Sequence, residues 1–176
     1  MAQIAPKALP TNPRYDRDKL KAAILYFLKR ANNDHLGKTK LMKLLYYADF
    51  DHAERFGVPI TGARYRKLPQ GPVPMEAMQL LDELIAQHPH GAVKPEQRSS
   101  GPYVQNRYEA LEEPDLDVFS ESERLVLEQV VTRWEYEPLN AIVAATHAEA
   151  PWLAVSMNEM IPYHLASYRS SLSGSW

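Results

Sequence analysis

The chain has 176 residues, 45% of them hydrophobic and 24% charged, which suits one domain with a real apolar core. It contains no cysteine, so a disulfide framework, a thiolate zinc site and a thiol nucleophile are excluded. The net charge of −2 is unevenly divided: residues 1–43 hold ten Lys/Arg against three Asp/Glu, and residues 44–176 hold ten against nineteen.

Residues 1–17 carry Pro6, Pro10 and Pro13 among small and polar residues and are expected to be extended and flexible. The segment has no apolar run of signal-peptide type, and no stretch approaches the roughly 18 apolar residues of a membrane span, so a cytoplasmic protein with no membrane partner is expected. Asp16 or Asp18 can cap a first helix, continued by Leu20, Ala23, Ile24, Phe27 and Leu28 and ended by the turn chemistry of Asn33, Asp34 and Gly37. Lys38 to Phe56 predicts the central helix. Its Leu41, Leu44, Leu45 and Ala48 recur at i, i+3, i+4 and i+7, the stripe of a helix buried on one face, and Gly57 and Pro59 should stop it.

From Thr61 the pattern alternates through Ala63, Tyr65 and Lys67, a short strand over Gly62 to Leu68, then breaks at Pro69, Gly71, Pro72 and Pro74 into a fixed turn. Met75, Met78, Leu81, Leu84 and Ile85 give a third helix ending at His88-Pro89. Ala92 to Arg98 and Val104 to Leu111 are strand candidates around a hairpin turn, able to join Gly62 to Leu68 in one small antiparallel sheet. Ser120 and Glu123 spell a capping box before a helix through Leu127, Val130, Val131 and Trp134. Pro138 opens another helix, Pro151 a last turn carrying Trp152, and the stretch beyond Ile161 is Ser-rich and weakly patterned. The class that follows is α+β and predominantly α-helical, with about five to six helices and a two- or three-stranded antiparallel sheet. A single domain is expected over residues 18–163, with 164–176 as a C-terminal tail.

Candidate chemistry is sparse. Asp49 and His52 stand three apart on one helix and, with Asp51, could offer two metal ligands, but two ligands are not a site, and nothing fixes the approach of His35, His88, His90 or His147. No G-x-S-x-G turn supports a hydrolase triad, and the prolines around Gly71 remove the N–H groups that a phosphate cradle needs. The basic stretch Arg14 to Lys43 interleaves aromatics, but Phe27 belongs to the apolar stripe, so a solvated face is favoured over a nucleic-acid groove. Ten acidic residues between Glu109 and Glu137, against Arg124 and Arg133, would bias encounters toward a basic partner. No catalytic residue, cofactor or metal is expected.

Four separated segments carry a family resemblance: KLLYYAD at Lys43 to Asp49, PITGARYRKLPQGPVP at Pro59 to Pro74, PDLDVFSESE at Pro114 to Glu123, and THAEAPW at Thr146 to Trp152. In order and spacing they resemble the Panacea, or SocA-like, domain over roughly Leu20 to Tyr163. The resemblance implies an antitoxin of bacteria and their phages, not an enzyme, that neutralises a cognate protein toxin by direct protein–protein binding. One branch of the family acts instead as a proteolytic adaptor that delivers its toxin to a cytoplasmic AAA+ protease, for which the terminal segments would be the tether here. A small metal-dependent hydrolase, resting only on Asp49, Asp51 and His52, is the third alternative. Some relatives carry a preceding DNA-binding domain; about 19 residues before the first helix are too few for one, so direct DNA binding is not expected.

Tyr, Trp, Arg and similar side chains dominate interface hot spots, which makes Tyr46, Tyr47, Tyr65, Arg66, Gln70 and Trp152 the candidate partner-binding residues on the motif segments. Lys43, Leu44, Leu45, Asp49, His52, Gly71, Pro72 and His147 are read as scaffold positions of the motifs. Lys43, Asp49 and His52 are expected to hold the Tyr65 to Val73 segment by hydrogen bonds.

Overall fold

The computed structural model describes residues 13–86 and 91–169; Pro6, Pro10, His88, Pro89 and His90, all used above, lie outside them. Helix α1 (Arg17–Arg30) starts where the Asp16 carboxylate accepts the Lys19 N–H, and α2 (Lys38–Phe56) ends where Gly57 takes the left-handed conformation at φ 81°. Strands β1 (Tyr65–Leu68) and β2 (Gly71–Pro74) form a tight hairpin that runs directly into α3 (Met75–Ala86). The hairpin of β3 (Val93–Ser100) and β4 (Tyr103–Ala110) follows, then a 3-10 turn over Leu116–Val118. Helix α4 (Glu121–Trp134) opens on a closed capping box between Ser120 and Glu123, and α5 (Leu139–His147) and the single turn α6 (Ala150–Leu153) come next. The short strand β5 (Met160–Ile161) and a 3-10 helix over Tyr163–Tyr168 complete the described chain.

The class is α+β, dominated by helix, with small antiparallel sheets. Three details depart from the sequence reading. The β3–β4 hairpin does not join β1; the partners of β1 are β2 on one side and β5 on the other, in the order β2-β1-β5. The GPVP stretch is itself the strand β2. Its prolines lack N–H donors and are tolerated because β2 lies at the sheet edge, where β1 pairs with one side only. Third, α2 is not buried on one face. Every residue from Lys40 to Phe50 is buried, because α1, α4, α5, β2 and the Tyr163–Tyr168 turn all pack around it. A helix enclosed on all sides must satisfy its polar groups inside the protein.

Around α2 the core is aromatic. Tyr46 lies 4.5 Å from Phe50, Phe50 stacks on Tyr163 at 4.9 Å, and Tyr47 meets Trp134 at 4.9 Å between ring centroids. Lys40 shows how a charge is accommodated here. Its ammonium donates to the carbonyls of Glu135 (2.9 Å) and Glu137 (2.6 Å), acceptors left open past the C-terminal end of α4, while burial pulls its pKa down to about 8.

Candidate functional site

Two of the motif segments, PITGARYRKLPQGPVP and THAEAPW, meet a third, KLLYYAD, on α2, and together with Arg169 they answer its buried polar residues. The first is Asp49, fully buried. It accepts from the Thr61 N–H and hydroxyl, both at 2.6 Å, and from the Tyr65 hydroxyl at 2.7 Å. Burial raises its pKa, and those same hydrogen bonds work in the opposite direction. Tyr163 donates to the Ala63 carbonyl beside this nest, so the segment leading into β1 is held from both sides.

The second is Lys43, also fully buried, whose ammonium donates to the Pro72 carbonyl at 2.8 Å. Among the described residues no charged partner offsets its burial, which brings the pKa down to about 7. Gly71 makes this approach possible: it has φ 107°, and a Cβ there would come within 2.6 Å of the Thr146 hydroxyl and 2.8 Å of Lys43 Cε. Thr146 and His147 end α5 against β2. The His147 ring stacks on Trp152 with centroids 4.0 Å apart, Lys67 Nζ sits 3.9 Å from the Trp152 ring, and Trp152 Nε1 donates to the Leu68 carbonyl at 3.3 Å. KLLYYAD, RKLPQGPVP and THAEAPW thus converge on the β1–β2 turn.

The third is a buried ion cluster on the far side of Tyr46. Arg169 pairs with Asp51 at 2.7 Å, Glu54 at 3.2 Å and Glu149 at 3.0 Å, and Glu149 also accepts the Tyr46 hydroxyl at 2.7 Å. Burial opposes the charge of Arg169, but Asp51 and Glu149 hold it protonated; Asp51 is itself pushed up, burial outweighing Arg169. The sequence reading did not single out Arg169, because its neighbourhood lacks periodicity. The available signal was indirect: Asp51 and Glu54 on α2 and Glu149 ahead of α6 are carboxylates that need a shared cation once they come together.

This geometry corrects several expectations. Tyr46, Tyr47 and Tyr65 are core residues, at most 1% exposed, because α2 is covered on all sides and β1 faces it; they are not surface contacts. Of the candidate contacts, Gln70 is exposed and accepts from the Thr39 hydroxyl at 3.3 Å, Trp152 is half-buried, and Arg66 is half-buried on the strand face opposite Tyr65 and Lys67. His52 does not hold the Tyr65 to Val73 segment; its ring nitrogens bond the Val58 carbonyl at 2.6 Å and the Ser122 hydroxyl at 3.0 Å, tying the end of α2 to the start of α4. Asp49, Asp51 and His52 do not converge, since each is engaged with a different partner, and among the described residues no group of three His, Cys, Asp or Glu is placed to hold a metal. Leu44 and Leu45 are fully buried, and Pro72 is buried in β2.

Lys40, Lys43, Asp49 and His52 on α2 are thus committed to fixing the segments around it, which defines a helix-centred scaffold with a polar and aromatic surface at the β1–β2 turn. Residues 41–153, more than half of the chain, match the family described as antitoxin SocA-like, Panacea domain, and the chain belongs to that family. No curated protein and no solved structure matches it significantly. Among the described residues no helix is long and apolar enough to cross a membrane.

Proposed function

We propose that this chain is an antitoxin that neutralises a co-encoded protein toxin by binding it directly, and that the β1–β2 turn with α6 is the binding face. The observation that carries the reading is the family membership, which implies a toxin partner in general. Direct binding is supported by what the polar residues of α2 are used for. Lys43, Asp49 and His52 bond backbone carbonyls, backbone N–H groups and hydroxyls rather than converging on a common point where a substrate atom could sit. The choice of face is supported by exposure: Gln70 and part of Trp152 reach solvent there, and Leu153, Met157 and Met160 are 54%, 45% and 38% exposed on the segment that follows Trp152. Aromatic and Met side chains at the surface are the types that interface cores favour.

The test is co-expression with the toxin encoded beside this chain. Growth should be restored and the two proteins should copurify, with Trp152→Ala and Leu153→Asp weakening the complex while the fold is retained. Rescue with no detectable complex would overturn direct binding. If the toxin's half-life also falls sharply when this chain is present, the adaptor mechanism with a cytoplasmic AAA+ protease replaces simple occlusion.

A further inference from the structure

We propose that Lys67 and His147, flanking Trp152, form a receptor for an acidic side chain of the toxin. The proposal rests on the antitoxin reading and adds to it the chemistry of the partner. Three basic groups gather here with no acid among them. Lys43 donates to the Pro72 carbonyl at 2.8 Å, Lys67 to the Val155 carbonyl at 2.8 Å, and the His147 ring lies by the Pro69 carbonyl. Among the described residues no carboxylate pairs with any of the three. Glu159, whose backbone carbonyl accepts the Lys67 N–H, has its carboxylate turned to the Ser156 N–H at 3.0 Å, and Glu149 serves Tyr46 and Arg169.

Other sequestered cations are matched to carboxylates, Arg169 to Asp51, Glu54 and Glu149, Arg107 to Asp34, and Lys19 to Glu123, while Lys40 is held by two backbone carbonyls. The cluster at Trp152 brings three basic groups together without a carboxylate among the described residues, and it also holds an orphan. His147 Nε2 is buried with no hydrogen-bond partner among the described residues. Burial and the charges of Lys43 and Lys67 lower the His147 pKa. A carboxylate arriving against Lys67 would offset that repulsion and supply an acceptor for a protonated ring.

A protein carboxylate suits the site better than a nucleic acid. The Trp152 ring is already stacked by His147 and capped by Lys67, so it offers no open platform for a base. Pro69, Pro72 and Pro74 remove the backbone donors that a phosphate would need, and Lys43 is buried behind Gly71.

The experiment is titration calorimetry of the full chain against the purified toxin, with Lys67→Arg, Lys67→Gln and Lys67→Glu, and circular dichroism melting to check the fold of each. Lys67→Arg should bind within a few-fold of wild type, Lys67→Gln about tenfold more weakly and Lys67→Glu more weakly still, as expected for loss of a desolvated charge pair. An Asp or Glu to Lys change in the toxin should restore binding to Lys67→Glu. Equal affinity in all four proteins, or equal loss in all three variants, overturns the receptor while leaving the antitoxin reading intact. Absence of toxin binding by the wild type overturns that reading, and this one with it. Competition by a single-stranded oligonucleotide for the same site would make it a phosphate site and overturn the proposal.

Discussion

The sharpest consequence of the buried lysine is a stability that rises with pH. Lys43 is fully enclosed with one carbonyl acceptor, and burial brings its pKa from 10.5 to about 7. Below that value the amine is protonated in both the folded and the unfolded chain, so it gives no pH dependence. Above it the unfolded chain binds one more proton than the folded one, and stability therefore increases until the unfolded amine also titrates. At about 1.4 kcal/mol per pH unit, less the half-titrated start, the gain between about pH 7 and about pH 9 is about 2 kcal/mol. The neutral amine keeps a donor for the Pro72 carbonyl, so the turn stays held throughout. Urea denaturation of the wild type and of Lys43→Met across this range, followed by tryptophan fluorescence, isolates the effect. Lys40, with its pKa near 8, titrates with the same sign but is present in both proteins and cancels in the difference. The two stability curves should run parallel below pH 7 and diverge above it, the wild type gaining. Parallel curves across the whole range would refute the reasoning and mean that Lys43 stays charged in the folded protein.

Asp49→Ala deprives the Thr61 N–H, the Thr61 hydroxyl and the Tyr65 hydroxyl of an acceptor in a closed core, and should destabilise by about 3–5 kcal/mol in urea unfolding; a loss below about 1 kcal/mol would mean that water replaces the carboxylate. Gly71→Ala meets both a φ of 107° and the Thr146 hydroxyl at 2.6 Å, so its melting temperature should fall by several degrees, whereas Gly101→Ala at the open hairpin tip, φ 61° with nothing within 4 Å, should fall by less. Arg169→Ala strands Asp51 and Glu149 without their cation and should cost about 3–5 kcal/mol at neutral pH, measured by the same denaturation. Leu45→Ala, at a fully buried position of α2, should cost about 2–5 kcal/mol.

Local chemistry was readable in the sequence wherever one segment contained both halves of an interaction. The capping box of Ser120 and Glu123 closes as written, Asp16 caps α1, and Gly57 ends α2 in the left-handed conformation. In each case donor and acceptor lie within a few residues, so spacing alone decides the geometry. The strands were harder to read. GPVP looked like a turn because proline is excluded from paired positions, and only the sheet order, with β2 at the edge, explains why it can be a strand. The pairing of β1 with β5 joins residues far apart in sequence through two residues of ladder, a contact too short to leave a pattern.

The polar residues of α2 show why the site was harder to read than the fold. Periodicity reports one apolar face, and Leu41, Leu44, Leu45 and Ala48 gave that face correctly, but it says nothing about what covers the others. Once α4, α5, β2 and the Tyr163–Tyr168 turn close over the helix, Lys43, Asp49 and Asp51 become obligations that distant segments must meet. Lys43 and Asp49 do reach the expected Tyr65 to Val73 segment, through the Pro72 carbonyl and the Tyr65 hydroxyl, but the Thr61 hydroxyl and N–H on Asp49 and Arg169 on Asp51 are partners that the sequence did not mark. A density of charged and aromatic side chains on one helix is therefore equally compatible with an active site and with a fully wrapped scaffold. What separates the two is whether the partners converge on one point. Here they radiate outward to three different segments, so the helix holds those segments in place around it.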